Sequence, residues 1–331
     1  MPMPDNPRPA GVFSQGRGWS FAGFFGVLAA VGLLAPSYEL LAVNQHLLLC
    51  LNVLALNFCL GLGGQVCMAQ GAFCGMGAYL SAMLHQYYPG GSLWIVPAAA
   101  LCTAAVGAAV SRPLEQLHSG FLAMATVGVH SIFINVVLAF PQVTGGAEGM
   151  LSAVPLTLPG GVTLGGDGFY FLAFSGLLLV GAFMYAALEN SRPGRALLAC
   201  REDPLAASSC GINRPAIRAQ AFALGAALSC LAGSLYGHYA GFISPRQFDL
   251  GLSLKTLLYL VIGGQGRLFS PLVAVVVLET LLSRLDFLGD ARSLVQGLLL
   301  AAALLIGPAM RGHTPRALLR RWLGKSPPSV A

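Results

Sequence analysis

The sequence predicts an all-α fold, a polytopic transmembrane bundle of about eight to ten spans, on three observations. Of its 331 residues, 56% are hydrophobic and only 9% are charged, whereas soluble domains carry roughly a quarter charged residues. A chain of this length still exposes a large surface, so a shortage of charge this deep leaves lipid as the surrounding medium. Apolar runs close to the ~20 residues needed to cross a bilayer recur along the chain. The basic residues fall mostly between those runs.

The runs lie at 19–36, 40–60, 66–86, 92–111, 118–140, 169–189, 217–240, 252–264, 268–283 and 294–309. The pair 252–264 and 268–283 is short and interrupted by Gly263, Gly264, Gly266 and Pro271. It reads either as one span plus a half-span or as two short tilted spans. The first run follows Arg8 and Arg17, is longer than a usual signal-peptide core and has no convincing small-residue cleavage site after it. It reads as an uncleaved signal anchor.

With the N-terminus inside and ten alternating spans, all 18 Lys and Arg except Arg246, Lys255, Arg284 and Arg292 fall on the cytoplasmic side. That distribution selects this topology over its inverse. The loop 141–168 carries Glu148 and Asp167 but no basic residue, as an external loop should. The chain then divides into a cytoplasmic tail (1–18), a membrane domain (19–310) with a cytoplasmic loop at 190–216, and a basic cytoplasmic tail (311–331). In that last tail Leu318, Leu319 and Trp322 alternate with arginines, a pattern suited to the inner membrane face and its anionic lipid.

Composition also removes several function classes. The net charge of +6 forms no basic stripe or aromatic-interleaved patch, so nucleic acid is not an expected partner. None of the eight cysteines forms a C-x-x-C pair or a His/Cys cluster with zinc spacing, so neither metal nor disulfide is predicted. Gly324-Lys325-Ser326 resembles the end of a P-loop, but Leu319 stands where that motif needs glycine. No G-x-S-x-G or H-E-x-x-H signature is present, which weighs against an intramembrane enzyme.

The most informative stretch is the loop 190–218. Asp203 suits a helix N-cap, Pro204 the first helical position and Gly211 the residue just past a helix end. They bound a helix of about two turns, residues 204–210, which is too short to be stable alone in water. It must pack on something. Small Ala206, Ala207, Ser208 and Ser209 permit close approach, and Leu205 offers an apolar knob. Two readings stay open: a helix that docks on a cytoplasmic partner, and a loop helix lying on the protein's own bundle.

Here the residues take on a recognisable pattern. Ala206-Ala207-x-x-x-Gly211 resembles the core of the "EAA" loop of ABC importer permeases, with Leu205 where that loop has Glu. Several further motifs occur in order. They are Thr144-Gly145-Gly146-x-x-Gly149, Ser191-Arg192-x-Gly194-Arg195, Leu231-Ala232-Gly233-x-Leu235-Tyr236, Gly241-Phe242-Ile243-Ser244-Pro245 and Gly263-Gly264-x-Gly266-x-Leu268. Together they resemble the branched-chain amino-acid permeases of ABC importers, of the LivM type, over about residues 45–310.

The resemblance implies an inner-membrane permease that pairs with a second, similar permease, two cytoplasmic ABC ATPases and a periplasmic binding protein. It places Glu202, Asp203, Pro204, Ala206, Ala207 and Gly211 at the ATPase contact. No cofactor is implied, since ATP would be held by the partner subunits. The implied cargo is a branched-chain or related amino acid, with urea or short amides as alternatives.

Polar residues inside the spans are candidates for a solute path. Asn44, Gln45, His46, Asn52 and Asn57 cluster on the second span, and His130 and Asn135 lie on the fifth. Polar groups in hydrocarbon need partners or water, so Asn52, Asn57, His130 and Asn135 either line a path or make interhelical hydrogen bonds. Glu279 is the one acidic residue near mid-span. An ion-coupled secondary transporter would call for more. Gly71/Gly75 and Gly233/Gly237/Gly241 have the spacing of close helix contacts, while Gly145, Gly146, Gly263 and Gly264 are candidate hinges or turns. Gly63-Gly64-Gln65 and Gly263-Gly264-Gln265 form a weak internal echo, each at a cytoplasmic span end.

Overall fold

The run 40–60 becomes helix α1 (Ser37–Leu56), which continues without a break into a π-helical turn, Asn57–Leu62. The computed structural model describes residues 37–88, 92–114, 119–151, 156–157 and 163–283, with isolated positions 26, 297 and 298. The predicted spans 19–36 and 294–309 and the two tails lie outside the described residues, apart from those isolated positions.

After α1 come α2 (Gln70–Tyr87), α3 (Ser92–Leu114), α4 (Ser119–Ala139) and α5 (Asp167–Asn190). Two short helices follow, α6 (Arg192–Glu202) and α7 (Pro204–Ser209), and then α8 (Arg214–Ala240), α9 (Leu250–Gly263) and α10 (Phe269–Ser283). Each long helix falls on a predicted apolar run. The short pair separates into two helices, and α9, with 14 residues, rises about 21 Å against a hydrocarbon core of about 30 Å. Asp249 at its start lies beside Gly71 and His130, so α9 begins within the bundle.

Side-chain contacts establish the direction of each helix. Asn52 of α1 and Cys59 of its π turn meet Ser229 and Ala221 of α8, and Thr103 and Gly107 of α3 meet Cys230 and Ala226, so α1 and α3 run against α8. Phe73 and His85 of α2 meet Phe222 and His238 of α8, and Gly71 and Gly75 of α2 meet His130 and Phe133 of α4, so α2 and α4 run with α8. Asn44 and Leu54 of α1 meet Asp167 and Gly181 of α5, Cys50 and Asn57 meet Leu272 and Arg267 at α10, and Tyr259 and Gly263 of α9 meet Glu279 and Pro271 of α10. Successive long helices therefore alternate. The C-terminal ends of α1, α3, α5 and α9 therefore lie toward one face, together with Arg112, Arg192, Arg195, Arg201, Arg214, Arg218 and Arg267. The described residues of the loop 140–166 lie at the opposite end, where strand β1 (Met150–Leu151) pairs antiparallel with β4 (Phe242–Ile243), Met150 opposite Ile243. Within the same loop β2 (Leu156–Thr157) pairs with β3 (Thr163–Leu164).

Helix α1 is the centre. In the most apolar 18 residues of its stretch Leu40–Leu62, 89% of the positions are buried, against 28% in Phe121–Ala139 of α4 and 33% in Trp94–Pro113 of α3. Phe121, Met124, Ile132 and Val136 on α4 and Leu172, Leu179 and Phe183 on α5 face outward, an apolar perimeter that matches lipid. The tightest packing is between α2 and α8. A Cβ on Gly77 would stand 2.0 Å from the Cys230 carbonyl oxygen, and one on Gly233 would stand 1.8 Å from that of Cys74. Only hydrogen at both positions lets the backbones touch. Six of the eight cysteines are buried, Cys74 and Cys230 in this packing, and all eight are free thiols.

Candidate functional site

The predicted helix of the 190–218 loop forms at the basic end. Asp203 leaves the helical region (φ −140°, ψ 100°) and its carboxylate accepts from the backbone N–H groups of Leu205 and Ala206, at 2.9 and 3.0 Å. Two of the donors that a helix start leaves open are thereby satisfied. At the other end Ile212 N donates to Ala207 O and Gly211 N to Ser208 O, at 3.2 and 3.0 Å, with Gly211 at φ +79°. This is a Schellman closure. Both ends of α7 are thus set by its own sequence.

The faces of α7 differ. Leu205 is 78% exposed while Ala207 is 4% exposed. Glu202, Asp203, Ala206, Ser208, Ser209 and Gly211 are exposed and Pro204 is half-buried. Ala207, predicted at the partner contact, is therefore turned onto its own chain, and the outward knob is Leu205. Behind α7, Arg218 donates to Cys200 O at 2.7 Å and Arg214 to Pro204 O at 3.4 Å, tying α6 and α7 to the start of α8.

The four polar path candidates separate into two situations. Asn52 is fully buried: it donates to Leu48 O at 3.0 Å and accepts from Ser229 Oγ at 2.6 Å. Ser229 also reaches Gln70 O at 3.2 Å, so the three residues lock α1, α2 and α8 together. Asn57 is also buried and holds the turn before α10, donating to Arg267 O at 2.8 Å and accepting from Gly266 N at 3.0 Å. Both asparagines serve contacts between elements of the bundle.

His130 and Asn135 instead line one open cavity of about 430 Å³, together with Ser131, Arg246 and Asp249. His130 is 4% exposed, and its Nδ1 has no hydrogen-bond partner among the described residues. Asn135 is exposed and donates to Ser131 O at 2.8 Å. Arg246 and Asp249 also line a neighbouring hollow of about 460 Å³ with Lys255. Sequence reasoning did not name Asp249 and met Arg246 only as an exception to the positive-inside pattern. That exception was the available signal, because a basic residue against the positive-inside pattern calls for a reason of its own.

The candidate hinge glycines take separate structural roles. Gly145 (φ +75°) ends the single helical turn Pro141–Thr144, and Gly146 continues that turn (φ +58°). A Cβ on Gly263 would stand 2.3 Å from Pro271 Cα, so it sits at a close contact between α9 and α10, while Gly264 (φ +96°) makes the turn itself. Glu279 is buried and accepts from Tyr259 Oη at 2.7 Å.

An apolar bundle of alternating helices, with a doubly capped helix exposed at its basic end, defines an integral membrane protein. Over residues 40–305 the chain matches the family described as branched-chain amino acid transport system, permease component, and it belongs to that family. It is 33% identical over 247 residues to the high-affinity branched-chain amino acid transport system permease protein LivM of Salmonella typhimurium strain LT2, covering 68% of this chain and 58% of that protein. The corresponding LivM of Escherichia coli K12 is 32% identical over 248 residues, with the same coverage. The chain thus spans less than two thirds of the length of these relatives. A shorter likeness, 35% over 91 residues, links it to the LivH permease of Salmonella typhimurium. No solved structure gives a significant match.

Proposed function

We propose that this chain is one permease half of an ATP-driven ABC importer in the bacterial cytoplasmic membrane, moving branched-chain or related amino acids inward. The observation that carries the reading is α7, a six-residue helix capped at both ends and presenting Leu205 to water at the basic end of the bundle. An exposed apolar residue on a rigid, pre-formed turn has little to do for its own fold and suits a groove on a partner.

On this reading two cytoplasmic ATPases grip the 202–211 segment. A second, homologous permease completes the membrane part, and a periplasmic binding protein delivers solute to the end bearing the 140–166 loop. Both termini are cytoplasmic, with the membrane domain at 19–310. The cavity of His130, Asn135, Arg246 and Asp249 offers hydrogen bonds and both signs of charge to a zwitterionic solute. No cofactor belongs to the chain itself, because nucleotide chemistry lies with the ATPases.

The test uses Leu205→Asp in the co-expressed complex. The variant should accumulate in the membrane at wild-type level, since Leu205 is turned away from the chain's own core, while ATPase subunits no longer co-purify and uptake of labelled leucine is lost. Full co-purification and full uptake would overturn the docking assignment. Gly211→Glu is the companion change, at the closure of the same helix.

A further inference from the structure

We propose that Arg201 is a positioning residue that transmits movement of the α6–α7 unit to α1 and to the α9–α10 turn. The proposal rests on the docking role of α7 argued above. Arg201 lies in the last turn of α6, two residues before the cap of α7. Its Nη1 donates to the carbonyl oxygen of Gly61, inside the π-helical turn that ends α1. The neighbouring end carbonyls, Cys59 and Leu60, are taken by Gln65 N and Gly64 N at 3.1 and 3.2 Å. Arg201 thus takes one of the carbonyls that a helix end leaves without a helical partner.

The Arg201 side chain runs through a slot between two glycine turns, its stem against Gly64 and its guanidinium against Gly266. A Cβ on Gly64 (φ +68°) would stand 2.9 Å from Arg201 Cγ, and one on Gly266 (φ +80°) would stand 3.1 Å from Arg201 Nη1. Asn57 joins the slot's two walls, bonding Gly266 N and Arg267 O from the first residue of the π turn. Gly64 of the first Gly-Gly-Gln echo and Gly266, the residue just after the second, therefore face one side chain. Arg218 and Arg214 tie α6 and α7 to α8, whereas Arg201 reaches across to the end of α1 and to the α9–α10 turn. π turns are frequent at functional sites, and here one ends the buried central helix where the cytoplasmic lever meets it.

The experiment uses the complete transporter in proteoliposomes with its binding protein loaded with leucine. Arg201→Met is compared with Arg195→Met, which removes the same charge from an exposed site on the same helix, bonded locally to Asn190 O at 2.9 Å. In R201M the ATPases should still co-purify and basal ATP hydrolysis should persist. Stimulation of hydrolysis by loaded binding protein, and uptake, should each fall about tenfold, within the usual range of a coupling between two sites.

R195M should behave as wild type, and R201K, which keeps a charged N–H donor group but loses the planar fork, should fall between. Unchanged stimulation in R201M overturns the proposal, as does loss of ATPase co-purification, which would make Arg201 a docking residue. If R201M fails to accumulate, R201K decides alone: reduced stimulation at normal assembly supports the proposal, and normal stimulation overturns it. Failure of the underlying reading is separately visible, because the wild-type chain would then show neither ATPase association nor ATP-driven uptake.

Discussion

Asn52 and Asn135 are the same residue type on apolar helices, but their surroundings assign them opposite roles. Asn52 is held by Ser229 and Leu48 in the helix contact of α1 with α8. Replacing it with Leu should lower the melting temperature of the purified protein, with a loss of about 1 kcal/mol, the scale of an interhelical hydrogen bond in a bilayer. Asn135 bonds to its own helix and faces the cavity. Asn135→Leu should leave the melting temperature unchanged and reduce uptake; a variant that melts early but transports normally would reverse the assignment. Asp203 gives a third case. Asp203→Ala removes a cap worth about 1 kcal/mol from a helix with too few residues to form unaided. ATPase affinity should drop severalfold and recover in Asp203→Asn, read by titrating ATPase subunit into the reconstituted permease.

At the scale of elements, the crossing of α2 with α8 is the most sharply specified contact. Gly77→Ala places a methyl against the Cys230 backbone, which cannot move as a side-chain tip would, so the helices must part at a cost of about 1–3 kcal/mol. A Cβ added at Gly176 on α5 would meet nothing within 4 Å among the described residues, and Gly176→Ala should be neutral or slightly stabilising through the helix propensity of alanine. Thermal unfolding of both variants in detergent checks the pair, and equal melting temperatures would contradict the packing. The sequence pointed to Gly233 through its spacing with Gly237 and Gly241, but not to Gly77. A small-residue stripe can be read along one helix, whereas the residue it meets belongs to another.

For the whole molecule, the testable quantity is which side of the membrane carries the basic end. Cys102 and Cys210 are the exposed thiols, and Cys102 lies within the apolar span of α3. Cys210 closes α7 and is exposed at the basic end. A membrane-impermeant maleimide should therefore label Cys210 in inside-out vesicles and not in intact cells or right-side-out vesicles. Labelling in intact cells would invert the topology and with it the direction of transport. The energy source is checked separately: uptake into vesicles should follow internal ATP and survive collapse of the ion gradients. An ion-coupled carrier would show the reverse.

The sequence by itself determined the membrane class, the positions of the long helices, their alternation and both caps of α7. Those features depend on local chemistry, namely the length of apolar runs, the placement of arginines, and Asp203 and Gly211 acting on their own neighbours. It could not say that α1 is central while α4 lies on the perimeter, because residues facing lipid and residues facing protein are equally apolar. Nor could it separate Asn52 and Asn57 from His130 and Asn135, place Asp249 beside His130, or bring Arg201 between Gly64 and Gly266. Each of these joins positions far apart in the chain, and such pairings are decided only when the helices pack.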